Sequence, residues 1–352
     1  MKRRLCYRLC FICLVELTLA ADAPAAESEK SNFQAVSDEI TPPKFQASWG
    51  QEGTGPGQFK SPVGIAINAA DDVFITDAGN GCVERFTADG KFLDQVVTGS
   101  FPGGIAIDRQ GLIYVAVMMD YKISVFRHKP KVSADQVSAS AYELVREWGA
   151  KGTGDGEFDQ PGGLAFGHDG SLFVCDQVNH RVQRFTPEGK FLAKWGEYGD
   201  KPGQFGAPEP PRNRVGGPCL VAVDKQGNIY TTEPRPGRIQ KFSPDGKYLG
   251  SWGSNEVRPG AFGGSDKILG PIALAFDRDD RVWVSATNHR VQLFTADGHY
   301  LTGLGTTAKP GHDPGQFRVP HGIAFDSRGV LYVVDTQNHR VQKFAFADAG
   351  QR

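Results

Sequence analysis

Residues 161–196 read PGGLAFGHDGSLFVCDQVNHRVQRFTPEGKFLAKWG. Apolar and polar residues alternate there over four short runs, Gly163–Phe166, Ser171–Cys175, Arg181–Phe185 and Phe191–Trp195. Alternation with a period of two marks half-buried strands. His168-Asp169-Gly170 and Pro187-Glu188-Gly189 separate runs as hairpin turns, where glycine supplies the positive φ that a tight turn needs. Four antiparallel strands in a unit of about 40–50 residues make one blade of a β-propeller.

The same pattern recurs along the chain. Copies begin at Pro62, Pro102, Pro161, Pro218, Pro271 and Pro320, so six blades are expected. The sixth copy stops after its third strand, near Phe346. Its missing fourth strand is found at the other end, where Phe45-Gln46-Ala47-Ser48-Trp49-Gly50 matches Phe191–Gly196 and Tyr248–Gly253. Residues 45–49 should therefore complete the last blade and close the ring, which removes the open seam between first and last blades. The expected fold is all-β, a six-bladed propeller over residues 44–346 with a tail at 347–352.

The remaining composition fits this reading. The 44 glycines and 22 prolines suit many turns. Lys+Arg total 39 against 40 Asp+Glu, which argues against a surface devoted to nucleic acid. Lys2, Arg3, Arg4 and Arg8 precede the apolar run Leu9–Ala20, and small residues follow at Ala21-Asp22-Ala23. This is the pattern of a signal peptide over residues 1–20, too short to span a bilayer. No lipoprotein-type Leu-x-x-Cys stands in the right place. Residues 21–43 are polar and proline-bearing, a flexible lead-in. A secreted or periplasmic protein follows, with no stable membrane anchor after cleavage and expected as a monomer. Cys82, Cys175 and Cys219 would remain in the mature chain, with neither zinc nor redox spacing. A Cys175–Cys219 disulfide is open but not required.

The copies resemble NHL repeats. The resemblance covers residues 45–346 and rests on Asn179-His180-Arg181-Val182-Gln183, Asn288-His289-Arg290-Val291-Gln292 and Asn338-His339-Arg340-Val341-Gln342. It rests also on the linking pattern Trp148-Gly149, Gly156-Glu157-Phe158, Pro161. It implies the propeller fold. It does not imply one function, since the family's functions are diverse.

The Asn-His-Arg triplets look like chemistry but read better as architecture. They fall between second and third strands, where a turn must form and Asn tolerates the turn conformation. Arg181, Arg238, Arg290 and Arg340 recur at one blade position, with Lys122 as a stand-in. Asp77, Asp176 and Asp335 recur five to six residues earlier, with Glu233 in the fourth copy. A repeated Arg–carboxylate contact would tie each turn down. His180, His289 and His339 belong to separate blades, so they should not converge on one metal.

His321 differs. It follows Pro320 at the start of an innermost strand, so its side chain is expected at the mouth of the central channel. In peptidyl-hydroxyglycine amidating lyases, which resemble NHL propellers, three histidines in such Pro-His positions hold zinc. The equivalents here are Val63, Gly103, Gly162, Cys219 and Ile272, and one His cannot make a three-ligand zinc site. A lactonase-type calcium site would need several oxygen ligands meeting at the channel. Asp108, Asp224, Asp277 and Asp326, with Asn68, instead lie at the far ends of the inner strands, where they should cap turns. No cofactor is expected. Zinc or calcium at the channel mouth, with His321 as a ligand, is the alternative. No Gly-x-Ser-x-Gly elbow or phosphate loop occurs.

The connections between blades should share one face. Residues 197–217 and 254–270 are long, and Arg212, Arg214, Arg258, Lys267, Arg318 and His321 would crowd there as ligand-binding residues. The insertion 128–141 should project from the opposite face. The expected function is a non-catalytic recognition scaffold for a protein, peptide or glycan on the loop face. The alternative is a metal-dependent lyase or hydrolase of the amidating-lyase or lactonase kind. RNA binding, known for NHL domains of tripartite-motif proteins, fits poorly with an export signal.

Overall fold

The computed structural model describes residues 40–129, 141–206, 216–263, 270–305 and 310–346. The expected signal segment 1–20, most of the expected lead-in, the core of the 128–141 insertion and the tail 347–352 lie outside the described residues, as do Arg212, Arg214 and Lys267. The rest is all-β, with six four-stranded antiparallel sheets. No helix among the described residues is long and apolar enough to cross a membrane.

The chain begins with β1 (Lys44–Trp49). Blade 1 follows as β2 (Pro62–Ile67), β3 (Val73–Asp77), β4 (Cys82–Phe86) and β5 (Phe92–Val97). Blade 2 is β6 (Pro102–Ile107), β7 (Ile113–Val117), β8 (Lys122–His128) and β9 (Tyr142–Trp148). Blade 3 is β10 (Pro161–Phe166), β11 (Leu172–Asp176), β12 (Arg181–Phe185) and β13 (Phe191–Trp195). Blade 4 is β14 (Val221–Val223), β15 (Ile229–Glu233), β16 (Arg238–Phe242) and β17 (Tyr248–Trp252). Blade 5 is β18 (Pro271–Phe276), β19 (Val282–Ala286), β20 (Arg290–Phe294) and β21 (Tyr300–Gly305). Blade 6 has β22 (Pro320–Phe325), β23 (Leu331–Asp335) and β24 (Arg340–Ala345), and β1 supplies its fourth strand in the order β1-β24-β23-β22. The pairing Trp49↔Val341 fixes the register of this closure.

The second strand of every blade is buried throughout, as β11 (LFVCD) shows. It is sandwiched between neighbouring blades, so both of its faces must be acceptable to a core. The fourth strands β1, β13 and β17 alternate in exposure, because one of their faces meets water. The core therefore lies between blades. Tyr114, Ile123, Phe158, Leu172 and Phe185 join blades 2 and 3 in one cluster, and Phe59, Ile75, Phe86, Tyr332 and Val341 join blades 6 and 1 in another.

Two devices let the blades approach closely. Glycines on the first strands leave room for the neighbouring backbone: a Cβ on Gly104 would lie 2.5 Å from the Gly162 carbonyl oxygen, and one on Gly322 would lie 2.6 Å from that of Val63. Farther out, Trp148 ends β9 and its ring covers Gly189, the hairpin glycine of blade 3, where an added Cβ would sit 2.6 Å from the ring. The pairs Trp49–Gly90, Trp195–Gly246 and Trp252–Gly298 repeat the contact. Hydroxyls stitch the inner region: Thr76 donates to Gly103 O and Thr232 to Ile272 O, each at 2.7 Å, and Ser285 to His321 O.

The aspartates at the far ends of the first strands cap turns as expected. Asp108 Oδ1 accepts from the N–H groups of Gln110 and Leu112 at 2.9 Å, and Asp224, Asp277, Asp326 and Asn68 repeat the pattern. Their second oxygens meet buried rings, as Tyr332 O–H does with Asp326 and Trp283 N–H with Asp277. Cys82, Cys175 and Cys219 are free thiols.

Candidate functional site

The face that carries the blade-to-blade connectors also carries the turns between second and third strands, and the two are tied together. The connector entering blade 3 folds back on itself through a bridge between Lys151 and Phe158, and Phe158 is fully buried beneath it. The connectors entering blades 1 and 4 repeat this with Glu52↔Phe59 and Tyr198↔Phe205. Phe262 and Phe317 are buried in the same way ahead of blades 5 and 6.

Arg181 is the centre of the tie in blade 3. Its Nε donates to Asp176 at 2.8 Å, and its terminal nitrogens donate to the carbonyls of Thr153, Gly154 and Glu157 at 2.7–2.8 Å. Gln183 adds an amide bridge: its Nε2 donates to Glu157 O and Asp176 Oδ2, and its Oε1 accepts from Gly156 N–H. Asn179 donates to Gly152 O and to Asp176. Blade 4 builds the same unit from Glu233, Arg238 and Gln240. Blade 6 builds it from Asp335, Arg340, Gln342 and Asn338. A planar guanidinium suits this task because its forked donors reach a carboxylate and several carbonyls at once.

Three of the sequence expectations need correction. Asp77 has no arginine partner, since Cys82 stands opposite it; it accepts instead from the N–H groups of Lys60, Ser61, Gly79 and Asn80. Arg290 stands opposite Ala286 in the strand register, where Arg181 stands opposite Asp176, and donates to Arg258 O. Lys122 is no stand-in, because it pairs with Glu147 within its own sheet. The turn conformation also belongs to a different residue. His180, His289 and His339 take left-handed φ values of 52–63°, and Gly81, Tyr121 and Gly237 hold the same place in the other blades. The asparagine acts through its side chain.

Arg258 is exposed, pairs with Glu256 and donates to Pro259 O. Arg318 is half-buried, and its N–H donates to Asp335 at 2.7 Å. An open cleft of about 330 Å³ lies on the connector entering blade 4, lined by Gly196, Glu197, Lys201, Pro202, Gly203 and Gln204.

His321 opens β22 and is only 4% exposed. Burial without a charged partner pushes its imidazole down to about 4, so the ring is neutral at physiological pH. Among the described residues its Nε2 meets no partner. Among the described residues no three His, Cys, Asp or Glu side chains converge, so the donor set does not fit a three-histidine zinc site.

A six-bladed propeller with these repeated turn-to-connector ties defines a class of scaffold. The chain is a six-bladed β-propeller in which three stretches, residues 59–86, 158–185 and 317–344, match the NHL repeat family. Each match runs from a buried connector phenylalanine to the last phenylalanine of the third strand, and those two rings touch, 5.7 Å apart for Phe158 and Phe185. The chain is 25% identical over 299 residues to peptidyl-glycine alpha-amidating monooxygenase A of Xenopus laevis, covering 82% of this chain and 28% of that protein. It is 24% identical over 354 residues to the human E3 ubiquitin-protein ligase TRIM32, covering 92% of this chain and 48% of that protein. It therefore spans less than a third of the length of the amidating monooxygenases and about half that of the ligase. Among solved structures, a Bacteroides thetaiotaomicron protein of unknown function superposes with a TM-score of 0.62 at 18% identity, covering 85% of this chain and 76% of that one. Virginiamycin B lyase from Staphylococcus aureus gives 0.51 at 14% identity, covering 81% and 95%. These structural likenesses concern the fold alone.

Proposed function

We propose that this chain is an exported binding scaffold that holds a protein or peptide ligand, or a glycan, across its connector face. One observation carries the reading: guanidinium ties hold the connectors entering blades 3, 4 and 6 to a rigid ring, while the connectors themselves differ in length and charge. Loops held this way are pre-organised, which lowers the entropy lost on binding. Arg258 and Arg318, with Lys267 in the same connector as Arg258 and with Arg212 and Arg214 in the 197–217 connector, would supply positive charge to the rim. Relatives of this fold include proteins named as enzymes and as a ligase, so fold alone does not choose between catalysis and binding.

The test is a charge reversal. Arg212→Glu, Arg214→Glu and Arg258→Glu together should weaken retention of a cross-linked partner by roughly tenfold or more, while the unfolding temperature stays near that of the parent. Unchanged retention would place the ligand elsewhere. Fractionation of cells expressing the native gene tests the export: protein held inside the cytoplasm with an uncleaved N-terminus would remove that part of the reading.

A second reading, a metal-dependent lyase or hydrolase, has one supporting observation in the unpartnered Nε2 of His321. Metal analysis of the purified protein tests it. Stoichiometric zinc or calcium that disappears in His321→Ala would favour the enzyme over the scaffold.

A further inference from the structure

Four blades carry a glutamine at the centre of the third strand, and it holds the connector in the same way each time. The Oε1 atoms of Gln183, Gln240, Gln292 and Gln342 accept from the N–H groups of Gly156, Gly203, Gly260 and Gly315 at 2.9–3.0 Å. Their Nε2 atoms donate to the carbonyls of Glu157, Gln204, Ala261 and Gln316 at 2.7–3.0 Å. Each of those carbonyls belongs to the residue before a buried connector phenylalanine. One amide thus clasps the connector at two points, accepting at one and donating at the other.

Blade 1 has the same frame with a carboxyl group in the place of the amide. Glu84 stands opposite Ile75, as Gln183 stands opposite Val174. The Phe59 and Phe86 rings are 5.6 Å apart, as those of Phe158 and Phe185 are 5.7 Å apart. Glu84 Oε2 accepts from Gly57 N–H at 2.7 Å, which reproduces the first half of the clasp. The second half calls for a donor toward Gln58 O, the carbonyl before Phe59. Asn80 approaches that carbonyl only at 3.4 Å. A carboxylate has no hydrogen to offer there, whereas a carboxylic acid has one. The side chain is 1% exposed, so the clasp is made away from bulk water.

We propose that blade 1 is latched by a proton: the acid form of Glu84 donates to Gln58 O while accepting from Gly57, and loss of that proton frees the 51–59 connector. The groups facing Glu84 favour the acid. On β3, Asp77 is buried and accepts from the N–H groups of Lys60, Ser61, Gly79 and Asn80. On β4 itself, burial, Glu84 and Asp77 push the Cys82 thiol up to about 12 and keep it neutral. From β5 the facing residue is the uncharged Gln95. From the connector, Lys60 gives Asp77 its backbone N–H, and among the described residues no cation pairs with either acid. Burial pushes the Glu84 carboxyl up to about 7; the Gly57 N–H opposes this and the Asp77 charge adds to it. That value lies above the ordinary 4.5. The latch therefore contributes fully below pH 4.5 and is lost as pH rises through 7.

Amide hydrogen exchange of the full chain, corrected for the intrinsic effect of pH, tests the latch. The Gly57 N–H donates to Glu84 and the Phe59 N–H to Gln51 O, so both report on the connector. Between pH 6 and pH 8.5 their protection should fall roughly tenfold or more. Gly156 and Phe158, held through Gln183, should stay level. Glu84→Gln supplies the donor permanently and should keep Gly57 and Phe59 at their low-pH protection throughout. In the parent, the Glu84 carboxyl carbon followed by carbon-13 NMR should titrate near 7 and not near 4.5. That measurement stands even if the variant fails to fold. The latch is overturned if the carboxyl titrates near 4.5, or if Gly57 and Phe59 keep level protection in the parent. It is equally overturned if Glu84→Gln shows the same fall as the parent.

Discussion

Arg181 Nε lies 2.8 Å from Asp176 Oδ2, and both side chains are buried. The pair is thus a structural bond between a turn and the connector it holds, made where water cannot compete. Replacing Arg181 by Met would leave Asp176 short of its counter-charge and three connector carbonyls short of donors. Removing one member of a buried pair costs about 3–5 kcal/mol. We expect a loss of that size for Arg181→Met in denaturant unfolding, and Asp176→Asn/Arg181→Met to lose less than the sum of its single changes. A loss under about 1 kcal/mol for Arg181→Met would show that the tie is dispensable.

Gly189 and Gly170 both have positive φ, +89° and +82°, but only Gly189 lies beneath a tryptophan ring. Gly170→Ala should therefore show the backbone strain alone, about 1–2 kcal/mol. Gly189→Ala should show that strain plus displacement of Trp148, a further 1–3 kcal/mol or so. Equal losses in the two variants would mean that the Trp148 contact gives way freely.

His321 sets a pH dependence. Its pKa falls from the ordinary 6.5 to about 4 in the folded ring, so the unfolded chain takes up the proton first. The folded state keeps the full contribution of the neutral imidazole above pH 6.5 and loses it as pH falls from there toward 4. The gap corresponds to about 3 kcal/mol. Comparing His321→Gln with the parent by urea unfolding between pH 7.5 and 4.5 should show the variant gaining relative stability on acidification. Parallel pH profiles would mean that His321 is more accessible than its burial indicates.

Trp49 sits at the end of β1, yet its ring lies 6.0 Å from that of Phe86 in blade 1 and 6.1 Å from that of Tyr332 in blade 6. Trp49→Ala should cost about 3–5 kcal/mol, comparable with Trp195→Ala in the middle of the chain. Deleting residues 44–49 should leave β24 with an open edge and produce concentration-dependent association on size exclusion. A monomeric, equally stable deletion variant would show that β1 does not close the ring.

The blade count, the closure by residues 45–49 and, to within two residues, the strands of blade 3 were legible in the sequence, because period-two alternation and hairpin glycines are local signals. The tie was half legible. The recurrence of Arg181, Arg238 and Arg340 five positions after an acid pointed to the ion pairs, but their carbonyl partners lie on connectors whose fold depends on Phe59, Phe158 and Phe205 being buried. The left-handed residue was assigned to Asn179 when it is His180, since the side chain of Asn179 is needed for the connector. The departure in blade 1 was also in plain view, as Cys82 and Glu84 at the Arg and Gln positions. Its meaning appeared only when the register placed two acids in one buried cluster. Arg258 pairs with Glu256 and the Arg318 N–H donates to Asp335, partners that sequence position alone could not reveal.

The pairing of β1 with β24 also bears on how the protein comes into being. A chain made from its N-terminus produces β1 before the other strands of the ring and β24 after them, so β1 waits for its partner until the rest of the ring is made. Every shorter product carries two unsatisfied sheet edges, of the kind that invite proteolysis or aggregation. Only a chain reaching Ala345 can satisfy both. The ring thereby acts as its own inspector of length, since a truncated copy cannot pass for a finished one.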